Sequence, residues 1–114
     1  MSLPARRQWL GLGLALCCLP PWAVDAAPPR VVVVEIRDYK YLPAQLRIQA
    51  GTTVRWVNAE KRTTHTVRFA GADGMESERL FPGESFERRF DKPGAYAYIC
   101  GPHPEMTGHV DVTP

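Results

Sequence analysis

Cysteine is scarce in this 114-residue chain: three in all, at positions 17, 18 and 100, too few for a disulfide-stapled scaffold. An excess of one charge is lacking too. Fourteen Lys and Arg stand against 12 Asp and Glu, a formal +2, and no basic patch or tail marks a nucleic-acid or anionic-membrane binder. No apolar run is long enough to span a bilayer as a helix. No segment holds a sustained 3.6-residue apolar period, and repeats and low-complexity tracts are absent. The length allows one compact domain and does not fit a catalytic domain of ordinary enzyme size. What is present is ordinary for a globular protein: 45% apolar and 23% charged residues, too apolar for general disorder. Eleven Pro and nine Gly point to many turns.

The N-terminus reads as an address. Arg6 and Arg7 form a positive start, Trp9 to Leu19 an apolar stretch, Pro20 and Pro21 break it, and Val24 and Ala26 are small residues before a cut after Ala26. That order predicts a cleavable signal peptide over residues 1–26 and a single domain over 27–114. The Arg pair also fits a partial twin-arginine pattern, so both that route and the Sec route are open. Cys17 lacks the small preceding residue of a lipoprotein signal, so no lipid anchor is expected. Taking 26 residues from 114 leaves 88, and losing Arg6, Arg7 and Asp25 moves the charge balance from 14:12 to 12:11, a net +1. Cys17 and Cys18 leave as well. An exported compartment favours disulfides, yet Cys100 is then without a partner in its own chain, a liability unless something uses or protects it.

The remaining chain reads as short strands. Val31 to Arg37 is β-branched, Gln45 to Gln49 places Leu46 and Ile48 on one face, and Thr52 to Asn58 pairs Val54 with Trp56. His65 to Phe69 puts Val67 and Phe69 together with His65. Residues 71–84 read as loop with Phe81 as an anchor. Ser85 to Asp91, Ala95 to Cys100 and Gly108 to Thr113 complete the set, and Lys92-Pro93-Gly94 is a turn. Alternating strands separated by turn signals predict an all-β sandwich or barrel. Trp56, Phe69, Phe86, Phe90, Tyr96 and Tyr98 are the expected core anchors. A core this small is marginal without help, and a ligand bound only by the folded state would add to it.

Chemistry concentrates in Cys100-Gly101-Pro102-His103-Pro104-Glu105-Met106. A thiol, an imidazole and a thioether stand at C-x2-H-x2-M spacing in a loop stiffened by two prolines. Taken singly, a cysteine is often a small buried hydrophobe and a methionine core filler. Together they match the donors of a blue-copper site, which needs two His, one Cys and a weak axial Met. The second imidazole must come from elsewhere, and His65, in Thr63-Thr64-His65-Thr66-Val67, is the candidate. His109 reads as a surface residue and Met75 as at most an alternative axial donor.

The stretch from Arg30 to Pro114 resembles the cupredoxins, the type 1 blue copper proteins, and within them the amicyanin type of plastocyanin-like sequence. The resemblance rests on Gly51-Thr52-Thr53-Val54-Arg55-Trp56-Val57-Asn58, on His65-Thr66-Val67-Arg68-Phe69, on Pro82-Gly83-Glu84-Ser85-Phe86 and on the run from Phe90 to Met106. The short ligand loop with proline on both sides of His103 singles out the amicyanin type. It implies a Greek-key β-sandwich and a single copper held by His65, Cys100, His103 and Met106, with His103 as the electron port. Two positions depart from the pattern. Thr66 stands where Asn is usual, which implies a weaker side-chain tether between the ligand loops, and Glu105 puts a charge on the rim of an apolar docking patch.

The expected function is that of a periplasmic, monomeric, non-enzymatic carrier of single electrons. Its partners would be a redox donor and acceptor such as a periplasmic dehydrogenase and a c-type cytochrome, with no nucleic acid and no stable membrane anchoring. Two other classes compete. A copper chaperone or storage protein would favour Met- and His-rich or paired-Cys sites, and only three Met occur. A thiol enzyme with Cys100 as nucleophile and His103 as base lacks a third orienting group.

Overall fold

Strict alternation builds the first sheet. The computed structural model describes residues 30–71 and 74–114, and the expected leader over residues 1–26 lies outside them. β1 (Val31–Arg37) buries Val34 and Ile36; β2 (Lys40–Leu42) buries only Tyr41. β3 (Gln45–Gln49) and β4 (Thr52–Asn58) follow, then the two-residue β5 (Arg68–Phe69), β6 (Ser85–Phe90), β7 (Gly94–Ile99) and β8 (Thr107–Thr113). In β4 every second residue, from Thr52 through Val54 and Trp56 to Asn58, is buried, the period-two pattern of a strand with one face on a core.

Two four-stranded sheets result, in the orders β2-β1-β4-β6 and β3-β8-β7-β5. β1 runs parallel to β4 and β3 parallel to β8; the remaining pairs are antiparallel. The sheets face each other as the Greek-key β-sandwich expected. Among the described residues, no helix is long and apolar enough to cross a membrane.

Aromatic residues fill the space between the sheets. The Trp56 ring lies 5.4 Å from Tyr98 and 5.9 Å from Phe69, both edge to face, the arrangement that ring quadrupoles favour. Tyr41 meets Tyr98 edge to face at 4.7 Å. Burial pushes the Tyr98 hydroxyl up to about 12, against the opposing influence of the Trp56 indole. The Arg88 guanidinium points inward and lies 4.3 Å from the Phe69 ring centroid and 4.9 Å from that of Phe90, so its charge rests on aromatic faces.

Several expectations shift. The strand read over His65 to Phe69 shrinks to β5, because His65 bridges to Leu80 instead of extending the ladder. Cys100 stands one residue past β7. In the 71–84 segment Leu80, 4% exposed, is the anchor; Phe81 is 56% exposed. Phe86 and Tyr96 are only partly buried against the core, and Tyr41 joins it instead.

Gly108 is where the two middle strands of the second sheet fit most tightly. A Cβ there would lie 2.1 Å from the Tyr98 ring. Gly108→Ala is expected to cost about 1–3 kcal/mol, the usual penalty for forcing extra volume into a packed core. Urea unfolding of the metal-free protein checks this as a lower midpoint.

Candidate metal centre

Asn58 closes β4 and organises the loops beyond it. Fully buried, it donates from Nδ2 to the carbonyls of Thr63 and Leu80, and its Oδ1 accepts the Glu60 N–H at 2.9 Å. His65 and Leu80 then pair through two backbone bonds, His65 N–H to Leu80 O at 3.1 Å and Leu80 N–H to His65 O at 2.8 Å. This fixes His65 at one end of the sandwich.

β7 delivers Cys100 to the same end. The loop from 100 to 106 is closed on itself: Cys100 N–H donates to Met106 O at 3.1 Å, and Met106 N–H to His103 O at 2.9 Å. Cys100 and His65 are fully buried, Met106 is 2% exposed and His103 is half-buried.

The two parts of the chain converge. One donor atom each from His65, Cys100 and His103 lies within 4.8 Å of the others. Cys100 Sγ is 3.6 Å from Nδ1 of His65 and 3.6 Å from Nδ1 of His103. A divalent first-row ion bonds sulfur at about 2.3 Å and imidazole nitrogen at about 2.0 Å, so at a trigonal angle the two donors stand about 3.7 Å apart. The observed separations match a shared ion. The donor set fits as well, because one soft thiolate and two imidazoles with a methionine alongside suit copper.

The surroundings favour a ligand role for His65. Burial, reinforced by the nearby His103, lowers its pKa below the ordinary value, and Glu60 opposes that shift. The imidazole thus stays neutral, the form that binds metal. Its Nε2 is buried without a hydrogen-bond partner, 3.7 Å from Glu60 Oε1. A metal on Nδ1 leaves the ring proton on Nε2, facing that carboxylate.

Thr66 ties the two ligand segments together. Its backbone N–H donates to Cys100 Sγ at 3.4 Å, its carbonyl accepts the Tyr41 hydroxyl at 2.6 Å, and its Oγ1 accepts the Gly101 N–H at 2.8 Å. The tether expected to be weaker with threonine is therefore present, carried by the hydroxyl. Burial, with the Cys100 sulfur adding to it, pushes the Tyr41 hydroxyl pKa strongly upward; Tyr41 stays a donor.

All four residues anticipated from the sequence are at this end of the molecule. Glu105 is exposed on the same loop, while Met75 packs half-buried against the hydrophobic core. His109 is half-buried in β8. Sequence reasoning missed Tyr39. With Asp38 it forms the two-residue turn between β1 and β2, at φ of 53° and 58°, as a tight hairpin requires. Its ring meets His65 edge-on at 5.5 Å and His103 at 4.9 Å, and its N–H donates to Glu60 at 3.0 Å. Neither this turn nor the rings it reaches was read from the chain.

Comparison with known proteins agrees with this geometry. Residues 30–113 match the copper binding proteins of the plastocyanin/azurin family. An amicyanin from Paracoccus versutus is 38% identical over 115 residues, covering 97% of this chain and 86% of its own. An amicyanin variant solved in the oxidised state superposes with a TM-score of 0.68 at 32% identity, covering 72% of this chain and 81% of that one. A copper-containing nitrite reductase from Thermus scotoductus gives a TM-score of 0.71 at 30% identity; it aligns with 77% of this chain, which spans only 23% of that enzyme.

Ring pairs of the Tyr39 kind contribute about 0.5–1.5 kcal/mol each beyond the area they bury. Tyr39→Ala is expected to release copper to a chelator roughly 2–10-fold faster, the same energy read as a rate, while Tyr39→Phe keeps the wild-type rate. Stopped-flow loss of the visible band measures it.

Proposed function

We propose that this chain, which belongs to the plastocyanin/azurin family of copper-binding proteins, carries single electrons between redox proteins through one type 1 copper held by His65, Cys100, His103 and Met106. The observation that carries the reading is the pair of 3.6 Å separations from one buried sulfur to two imidazole nitrogens. Copper, when bound, supplies a one-electron couple between its cupric and cuprous forms.

The chain's own residues supply the rest. Cys100 and His65 hold their donor atoms away from water, which lowers the local dielectric and the solvent rearrangement that a change of charge demands. The Thr66 N–H on the sulfur withdraws electron density from the thiolate. The loop closed between Cys100 and Met106 and the Asn58 clamp on the other side fix both ligand segments before metal arrives, so little movement accompanies a change of oxidation state. His103, flanked by exposed Pro102 and Pro104, is the ligand whose ring reaches the surface, and it serves as the way in and out for electrons.

Non-enzymatic work is supported by the amicyanins that the chain resembles; the groove lined by Arg37, Asp38, Glu60, Lys61 and Arg62 is open and polar. Export follows from the N-terminal order of Arg6-Arg7, apolar stretch and small residues. The working compartment is then the periplasm, entered by the Sec or twin-arginine route, with residues 27–114 as the mature domain. Donor and acceptor are redox proteins, a dehydrogenase and a c-type cytochrome among the kinds expected.

Adding Cu(II) to the metal-free protein is expected to produce an intense blue band, absent from Cys100→Ser. A chaperone would reduce or release the ion, and a thiol enzyme would be alkylated with or without it; either result overturns the carrier. Copper should also raise the unfolding midpoint, as any ligand confined to the folded state does. Mass spectrometry of the exported product is expected to find Ala27 at its N-terminus.

A further inference from the structure

We propose that Glu76 is a positioning residue for the metal centre: its carboxylate fixes the Thr66 hydroxyl as the acceptor for Gly101 N–H and so holds the Cys100 loop against the His65 segment. The proposal rests on the copper-carrier reading for its consequence, although the tether itself lies in the protein alone.

The Thr66 hydroxyl donates to Glu76 Oε2 at 2.8 Å and accepts from Gly101 N–H at 2.8 Å. A hydroxyl has one proton and two lone pairs. When an ionised carboxylate takes the proton, the oxygen has only acceptor capacity left, aimed at the amide next to Cys100. Charge-assisted bonds are the stronger kind, and a donor polarised on one side accepts more strongly on the other. Without Glu76 the hydroxyl is free to rotate, and nothing reserves its lone pairs for Gly101.

Two features place that carboxylate, which is carried by an exposed residue. A Cβ on Gly101 would lie 2.2 Å from Glu76 Oε2 and 3.0 Å from Thr66 Oγ1, so the side chain missing at 101 is the space the carboxylate occupies. The Glu76 backbone is also fixed: Phe69 N–H donates to Met75 O at 2.8 Å, Ser77 N–H to Val67 O at 2.9 Å, and Val67 N–H to Ser77 Oγ at 3.0 Å. Residues 75–77 thus run as a short rung beside β5. The segment that carries Glu76 is bonded to the one that follows His65, and the glutamate reaches from it to the residue that follows Cys100. Thr66 N–H also donates to Cys100 Sγ, so a drift of Gly101 would change the contact on the sulfur itself. The negative charge on Glu76 further favours the more positive cupric state.

The test reads amide exchange at Gly101 by NMR, in the metal-free chain and in the diamagnetic Cu(I) form, together with the midpoint potential. Thr66→Val, which removes the acceptor, is expected to speed Gly101 exchange roughly tenfold, the upper end of what losing one neutral hydrogen bond does, and Glu76→Ala, which frees the hydroxyl to turn away, to speed it several-fold. Glu76→Gln, which keeps an acceptor oxygen and loses the charge, should speed it less. Both Glu76 variants should raise the midpoint potential. Gly101→Ala, which pushes the carboxylate aside but keeps its charge, should raise the potential less than Glu76→Ala does. Unchanged Gly101 exchange in Glu76→Ala, or an unchanged potential in both Glu76 variants, overturns the proposal. Failure of the wild-type chain to bind copper sinks the carrier reading instead, and exchange in the metal-free chain still decides the tether.

Discussion

One backbone amide governs the metal-binding end: Thr66 N–H pointing at Cys100 Sγ across 3.4 Å. The sulfur is buried and lies between two imidazoles 3.6 Å away. A buried thiolate needs donors around it, since desolvation otherwise disfavours its charge. The amide meets that need and at the same time joins residues 34 positions apart. The rest of the local structure keeps it aimed. Tyr41 holds the carbonyl of the same residue from below, the Gly101 and Glu76 contacts hold its side chain, and the His65–Leu80 bridge holds its neighbour.

The sandwich exists, from this viewpoint, to bring two loops to one end and keep them there. β4 ends on Asn58, whose side chain clamps the loop that carries His65, and β7 ends next to Cys100. These two strands lie in different sheets, and Trp56 of one packs on Tyr98 of the other at 5.4 Å. Shifting either sheet would therefore move one ligand segment relative to the other. The aromatic core is the spacer that sets their separation, which ties stability and metal geometry to the same contacts.

Much of this was legible in the chain. Alternation in Thr52–Asn58 and Gly94–Ile99 is strong enough to fix which face is inward, and the C-x2-H-x2-M spacing names its own chemistry. What escaped reading has a common cause: it depends on contacts between residues far apart in sequence. β2 is three residues long and carries one buried position, too short for any period to show. Leu80 and Phe81 are adjacent apolar residues, and only the pairing of Leu80 with His65 decides which one turns inward. Arg88 lies at an inward position of β6 because three aromatic rings receive it, and no local signal predicts that. Tyr39 sits in a turn that no local signal announced, and Glu76 in a loop, where sequence gives position without direction. The contacts of the Thr66 hydroxyl escaped reading for the same reason, since one of its partners, Glu76, comes from ten residues further along.

His103 is the imidazole of the pair that approaches solvent, on a rim it shares with the exposed Pro102 and Pro104. If the chain carries electrons as proposed, a companion seated on that rim shields it from the next one, so brief contacts serve it better than tight ones.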